Sequence, residues 1–319
     1  MKRLVLSSLM LTIVAVWGWT FVVVKEAVEV YGVVPFLAIR FLIGSLAVGL
    51  IVALTKGVRD LFLSRRSERC YAEKVPDTFF QTLKVGGLIG MVLAAAYLFQ
   101  TSGVDRTTPT NAGLITGLFI VFAPLANGAL FGVRTSRIHW AAIGVSMVGL
   151  AMLTVGQANG DRSQLGDALV LGGAVCFGLH IVLLDRHAHR HDAGVLAFGQ
   201  LSSATLVFFA IWAVLWMQSP EDYAVKLPTR QVWFAFAVTG LIATAAGFFV
   251  QTSVQQRLSA VETAVIIVTE PLFAALFGYL LAGDRLSLIQ WLGALLMICA
   301  VIVAELYPLV RKTNHTQCS

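Results

Sequence analysis

Glu270 is the residue that most needs a reason. It stands about ten residues into an uncharged apolar run and is followed directly by Pro271. A charge at the centre of a hydrocarbon layer costs about 2.5–3.5 kcal/mol on insertion scales, so an acid there has a task. Proline lacks an N–H and clashes with the carbonyl four residues earlier, so the chain is expected to bend at Pro271 and to free a backbone acceptor beside the acid. A protonated Glu270 satisfies such a carbonyl, whereas an ionised one needs a cavity or a partner. A structural hydrogen bond at a kink, proton coupling or gating, and amine binding all fit these residues.

Arg40 lies about six residues into another apolar run, placed to snorkel outward, to tie helices, or to recognise a carboxylate. His180 and Gln200 are two further polar residues in apolar surroundings, read as hydrogen-bonded packing or, for His180, as a proton relay. Gln100, Gln251, Asn111 and Thr116 add hydrogen-bonding groups at similar depth, as interhelical ties or as cavity lining. Trp17, Trp19, Tyr97, Phe119, Phe122 and Phe248 would suit an aromatic-walled pocket or an ordinary core. Gly113 with Gly117, and Gly128 with Gly132, are spaced for close helix contacts.

Other chemistry finds little footing. His187, His189 and His191 sit between Asp185 and Asp192, but no second ligand cluster accompanies them, so a solvated link is expected rather than a metal site. There is no phosphate-binding loop, no Gly-x-Ser-x-Gly elbow and no His-Glu-x-x-His zinc motif. Cys70 and Cys318 fall in polar segments and Cys176 and Cys299 in apolar ones, with no disulfide framework. Neither a cofactor nor a metal is called for.

The elements that must hold these residues follow from composition. Of 319 residues, 58% are hydrophobic and only 13% charged, against roughly 45–50% and about 25% in globular chains. So few charges cannot cover so much apolar surface in water. An all-α integral membrane protein is the expected class. A span needs about 20 mostly apolar residues, and ten such stretches can be marked, at 4–24, 34–55, 85–102, 110–133, 138–156, 168–184, 193–217, 232–253, 260–282 and 286–304. The first is too long for a signal peptide and lacks a cleavage site. With the N-terminus in the cytoplasm, 16 of the 23 Lys and Arg fall inside, six outside and Arg40 within a span. Both termini are therefore expected on the cytoplasmic side. The net charge of +6 then belongs to the inner leaflet, with no need of nucleic acid.

The chain also contains itself twice. Slid by 151 residues, positions 100–140 match 14 times without a gap, setting Gln100 on Gln251, Arg106 on Arg257 and Trp140 on Trp291. Nearer the N-terminus an offset of 160 sets Trp17 on Phe177, Gly18 on Gly178, Thr20 on His180 and Arg40 on Gln200. The slip is absorbed if the long basic link at 56–84 exceeds its counterpart. Two units are expected, 1–157 and 158–319, each of five spans. Five is odd, so the second enters the membrane inverted, an arrangement that places a binding site near the midplane between halves.

These residues resemble the EamA-type members of the drug/metabolite transporter superfamily. The resemblance rests on Trp17-Gly18-x-Thr20-Phe21, Pro35 with Arg40, Gln100 with Asn111-Ala112-Gly113, Glu270-Pro271, and the turn Gly283-Asp284-Arg285-Leu286-Ser287. It runs the length of the chain. It implies ten helices in two inverted halves and a central cavity for small metabolites, amino acids or drugs. It also implies efflux and, in many members, exchange for protons. The family's acid at that turn is absent from the first half, where Val133-Arg134 stands.

The expectation is therefore a non-enzymatic secondary carrier of the cytoplasmic membrane. Its partners would be solute, lipid and protons, and it would act as a monomer or homodimer. The site would draw on Trp17, Trp19, Thr20, Arg40, Tyr97, Gln100, Asn111, Phe119, His180, Gln200, Phe248 and Gln251, with Glu270 and Pro271 as coupling or gating residues. The alternatives are a lipid flippase, a structural membrane subunit, or a membrane-embedded enzyme.

Overall fold

A computed structural model describes residues 2–63, 78–107, 109–154, 163–224, 227–277, 279–280 and 287–316. Among these the regular elements are all helical: α1 (Lys2–Tyr31), α2 (Val33–Leu63), α3 (Phe79–Val104), α4 (Pro109–Gly117), α5 (Phe119–Phe131), α6 (Arg137–Thr154), α7 (Gln164–Ala188), α8 (Ala193–Gln218), α9 (Arg230–Ala237), α10 (Gly247–Gln255), α11 (Ala260–Ile267), α12 (Glu270–Phe277) and α13 (Leu288–Thr316). A π-helical stretch, Val238–Ala246, joins α9 to α10.

Among the described residues, six stretches are long and apolar enough to cross a bilayer: Val33–Thr55, Phe79–Val104, Gln164–Ala188, Ala193–Gln218, Arg230–Gln255 and Ala260–Phe277. Four shorter apolar helical stretches accompany them, Val5–Thr20, Ile115–Phe131, Arg137–Leu153 and Leu288–Ala300. The outside of the bundle carries exposed Leu50, Leu206, Met217 and Leu295, while Arg40, His180, Gln200, Gln251 and Gln255 are buried. Apolar residues outward and polar residues inward suit a bundle dissolved in lipid, where the polar groups must find each other. The chain is a multi-pass membrane protein.

Short links work because the helix ends are satisfied locally. Thr78 with Gln81 and Ser259 with Glu262 form reciprocal capping boxes at the starts of α3 and α11. Asp192 Oδ1 accepts from Val195 N at 2.9 Å and starts α8. A single residue, Gly32, turns α1 into α2. Its φ of +82° is the left-handed region that side chains resist, and its N–H closes α1 on Val28 O at 2.8 Å.

The packing comes in corresponding pairs. α3 packs on α8 while α2 packs on the π-helical stretch, and α7 packs on α5 while α1 packs on α12. α6 and α13, the last rods of the two units, pack on each other. Glycines allow the closest approaches. A Cβ at Gly86 would lie 2.7 Å from Leu196 O across the α3–α8 contact, and one at Gly149 would lie 2.7 Å from Gly293 O across α6–α13.

Several expectations are corrected. The helix that holds the first apolar stretch runs on to Tyr31, past Lys25 and Glu26. The stretches 110–133 and 260–282 are not continuous. α4 stops at Gly117 and α5 starts at Phe119, and α11 stops at Ile267 and α12 starts at Glu270. The interruption thus begins at Ile267, four residues before Pro271, where the proline ring is expected to clash with the helix. Pro271 lies in the first turn of α12, where its missing N–H costs nothing. The two breaks fall at equivalent positions, because Phe119 plus 151 is Glu270. The break thus belongs to the repeat, since the first copy makes it without a proline there.

Gly128 and Gly132 make no helix contact. Gly132 is the left-handed cap of α5 at φ +66°, and nothing stands within 4 Å of a Cβ placed on it. His191 is buried rather than solvated, its Nδ1 2.9 Å from Thr82 Oγ1, and no cluster fit for a metal occurs among the described residues. Cys70, Cys318 and residues 283–286 of the turn lie outside the described residues. Cys176 and Cys299 are free thiols on α7 and α13.

Candidate functional site

Inside the bundle the polar residues converge on a cavity of two chambers, each of about 50 Å³. Both chambers are walled by Trp17, Tyr97, Gln100 and Glu270. The first adds Thr116, Phe119, Phe177, His180, Ile181, Phe248, Gln251 and Ile267. The second adds Thr20, Val24, Arg40, Thr101 and Val104. The space suits a few waters and is smaller than the roughly 300–1,000 Å³ usual for ligand pockets. The walls are closed down in this conformation.

Each polar group is held from behind. Trp17 Nε1 donates to Ala243 O at 2.7 Å, and Arg40 Nε donates to Thr244 Oγ1 at 2.9 Å. Both anchors belong to the π-helical stretch, where the widened turn changes which backbone groups pair within the helix. The Arg40 guanidinium also stands 5.0 Å from the centre of the Tyr97 ring, a cation–π contact that offsets part of its burial. Tyr97, Phe41, Phe177 and Phe248 form an aromatic cluster with centroid separations of 5.0 to 6.4 Å. Gln100 Nε2 donates to Thr116 Oγ1 at 3.2 Å, tying α3 to α4.

The walls are contributed by both copies of the repeat at matching positions. The 160-residue offset relates Trp17 to Phe177 and Thr20 to His180. The 151-residue offset relates Tyr97 to Phe248, Gln100 to Gln251, Thr116 to Ile267 and Phe119 to Glu270. Every member of these six pairs lines one chamber or the other.

Of the residues singled out in the sequence, Trp17, Thr20, Arg40, Tyr97, Gln100, Phe119, His180, Phe248, Gln251 and Glu270 face the cavity. Gln200 does not; it stands behind the wall, fully buried, with His180 Nε2 2.8 Å from its Oε1. Trp19 is outside too, edge-on to Phe234 at 6.3 Å. Pro271 follows Glu270 without lining the space. The Asn111 side chain lies outside the described residues. Phe177, Ile181 and Ile267 line the cavity without having been singled out as site residues, and Thr244 and Gln255 support it unforeseen. Phe177 was recoverable from its register with Trp17. Gln255 was recoverable from its spacing, one turn beyond Gln251 on the same helix face.

Comparison with known proteins agrees with this architecture. The profile of the EamA-like transporter family matches twice, at residues 6–155 and 164–306. An uncharacterized transporter of Archaeoglobus fulgidus is 28% identical over 96% of this chain and 87% of its own length. The uncharacterized inner membrane transporter YedA of Escherichia coli K12 is 23% identical over 91% of this chain and 87% of its own. The threonine/homoserine exporter RhtA of Salmonella typhimurium LT2 is 28% identical over 71% of this chain and 68% of its own. One protein of known crystal structure superposes with a TM-score of 0.70 at 20% identity, covering 95% of this chain and 96% of its own.

Proposed function

The chain belongs to the EamA-like transporter family, and from that premise we propose a secondary carrier that exports small organic solutes across the cytoplasmic membrane by alternating access. The observation that carries the proposal is the shared wall: six pairs of equivalent residues, one from each repeat, enclose one space. A space built this way changes its opening when one unit rocks against the other, which is the geometry alternating access requires. The units are residues 1–157 and 158–319, the second inverted, giving ten crossings with both termini cytoplasmic.

Solutes of amino-acid type suit walls that are aromatic and offer both Arg40 and Glu270. The naming of one relative as a threonine/homoserine exporter favours the same class. Glu270 is assigned to proton coupling, because it is an acid open to the cavity at the start of α12. Solute, lipid and protons are the partners, with no catalysis.

The test begins with an untargeted comparison of metabolites retained by cells with and without the protein. Flux of the solutes so found is then followed in proteoliposomes. Saturable flux driven by an imposed proton gradient supports the proposal. Movement of labelled phospholipid without solute flux would replace it with a flippase, and a sealed vesicle with neither would reject transport.

A further inference from the structure

Two chains of hydrogen bonds run through the second repeat and end at the first chamber. In one, Gln255 Nε2 donates to Ile181 O at 2.9 Å, and Gln251 Nε2 donates to Gln255 Oε1 at 3.3 Å. A backbone carbonyl only accepts, so Ile181 fixes which end of the Gln255 amide is nitrogen. That orientation in turn fixes the Gln251 amide. The other chain has the same logic. Thr252 Oγ1 donates to Phe248 O at 2.7 Å, which spends its proton. Gln200 Nε2 then donates to Thr252 Oγ1 and to Leu196 O, each at 3.3 Å. Gln200 Oε1 must therefore accept, and His180 Nε2 is its donor at 2.8 Å.

Both chains point their donors away from the cavity. What remains at the near end is Gln251 Oε1 and, in a neutral imidazole with its proton on Nε2, the lone pair of His180 Nδ1. Both residues line the first chamber. Neither chain end is among the described side-chain atoms that are sealed in packing without a partner, and both residues line the chamber, so the two ends open on the cavity. The acid Glu270 lines this chamber and the second alike.

We propose that this wall is a subsite for an ammonium group, and that Gln200 and Gln255 are positioning residues that set its polarity. Three acceptors, one of them an acid, suit a cationic group that carries several N–H donors and repel a carboxylate. The other copy of the repeat has diverged: the equivalents of Gln200, His180 and Gln255 are Arg40, Thr20 and Val104, all on the second chamber. Of these only Arg40 is charged, and it puts a cation on the second chamber, so that a dipolar solute lies one way round. The proposal rests on the reading of the cavity as a solute site, but on neither the direction nor the coupling of transport.

The experiment uses the purified full-length chain in detergent at pH 7, with n-propylammonium, 1-propanol and propanoate as probes, their affinities read by calorimetry. Propylammonium is expected to bind at least about tenfold more tightly than its neutral isostere 1-propanol, the fold-change that one charge-assisted hydrogen bond carries, with propanoate left to the Arg40 chamber. Gln255→Met and Gln200→Met keep side-chain length and remove the relay. Each should bring the ratio roughly tenfold closer to parity. Adding Gln251→Glu to Gln255→Met should restore the preference, because a carboxylate accepts whichever way it turns. A merely structural Gln255 would give no such rescue.

A wild-type chain that binds propylammonium no better than 1-propanol would overturn the assignment. So would folded Gln255→Met and Gln200→Met variants with an unchanged ratio. If either variant fails to fold, Gln251→Glu alone decides, because it should raise propylammonium affinity only if that side chain ends in the cavity. Proteoliposomes that move no solute while the ammonium preference persists would reject the carrier reading and leave this subsite standing.

Discussion

Replacing Glu270 by Gln keeps the reach and hydrogen bonding of the side chain while removing its titration. Flux driven by a pH gradient in proteoliposomes is expected to fall about a hundredfold or more, the lower end of what a positioned acid or base supplies, with expression intact. Gradient dependence that survives the substitution would free Glu270 from coupling. Trp17→Phe tests the support rather than the chemistry. It deletes the 2.7 Å bond to Ala243 O and leaves that carbonyl to the π-helical stretch alone, a loss of about 1–3 kcal/mol. The melting temperature in detergent should drop by several degrees. At this scale the sequence was informative where a polar residue interrupted an apolar run. Glu270, Arg40, His180, Gln100 and Gln251 stood out for that reason and all reach the cavity. Gln255 did not, because it belongs to the polar run Gln255-Gln256-Arg257, which reads as the end of a span meeting the interface. Gln200 was found but set in the wrong layer, since hydropathy says how deep a residue lies and not what stands in front of it.

Among the helices, glycine substitutions separate close approach from simple sequence spacing. Gly86→Ala should cost about 1–3 kcal/mol, because the new methyl would lie 2.7 Å from Leu196 O and both helices would have to yield. Gly113→Ala should leave stability unchanged or raise it by up to about 1 kcal/mol, since among the described residues nothing stands within 4 Å of its Cβ and alanine favours helix. Thermal unfolding in one detergent compares the two directly, and equal losses would count against the packing described. The elements were legible as apolar stretches with fair boundaries, and their internal geometry was not. The widened turns of Val238–Ala246 leave no mark in hydropathy, which carries no information on whether carbonyls pair four or five residues ahead. The interruption at Leu118 lacks a proline, so only its partner near Pro271 left a trace, and that trace suggested a bend.

For the whole molecule, the distribution of Lys and Arg makes a test of sidedness. Glu221 and Arg190 are both exposed, the first between α8 and α9 and the second between α7 and α8. In a background without the native cysteines, a membrane-impermeant maleimide should label Glu221→Cys on intact cells. It should reach Arg190→Cys only after the membrane is opened. The reverse pattern would invert the assigned topology. The duplicated plan was readable from Gln, Arg and Trp recurring in register, because those residues are too rare in such a chain to coincide through apolar bias. The pairing of the rods was not readable, since the glycine contacts that select it look like any other small residues in a lipid-soluble chain. The matched interruptions at Leu118 and at Val268–Thr269 carry a mechanical consequence. An unbroken rod is a strut, and a push at one end arrives at the other. A rod whose bond ladder is interrupted is softer at that point, so its two arms can tilt apart there more readily than along an unbroken helix. Two such joints, one in each half and both flanking the same chamber, would let one mouth widen while the other stays shut.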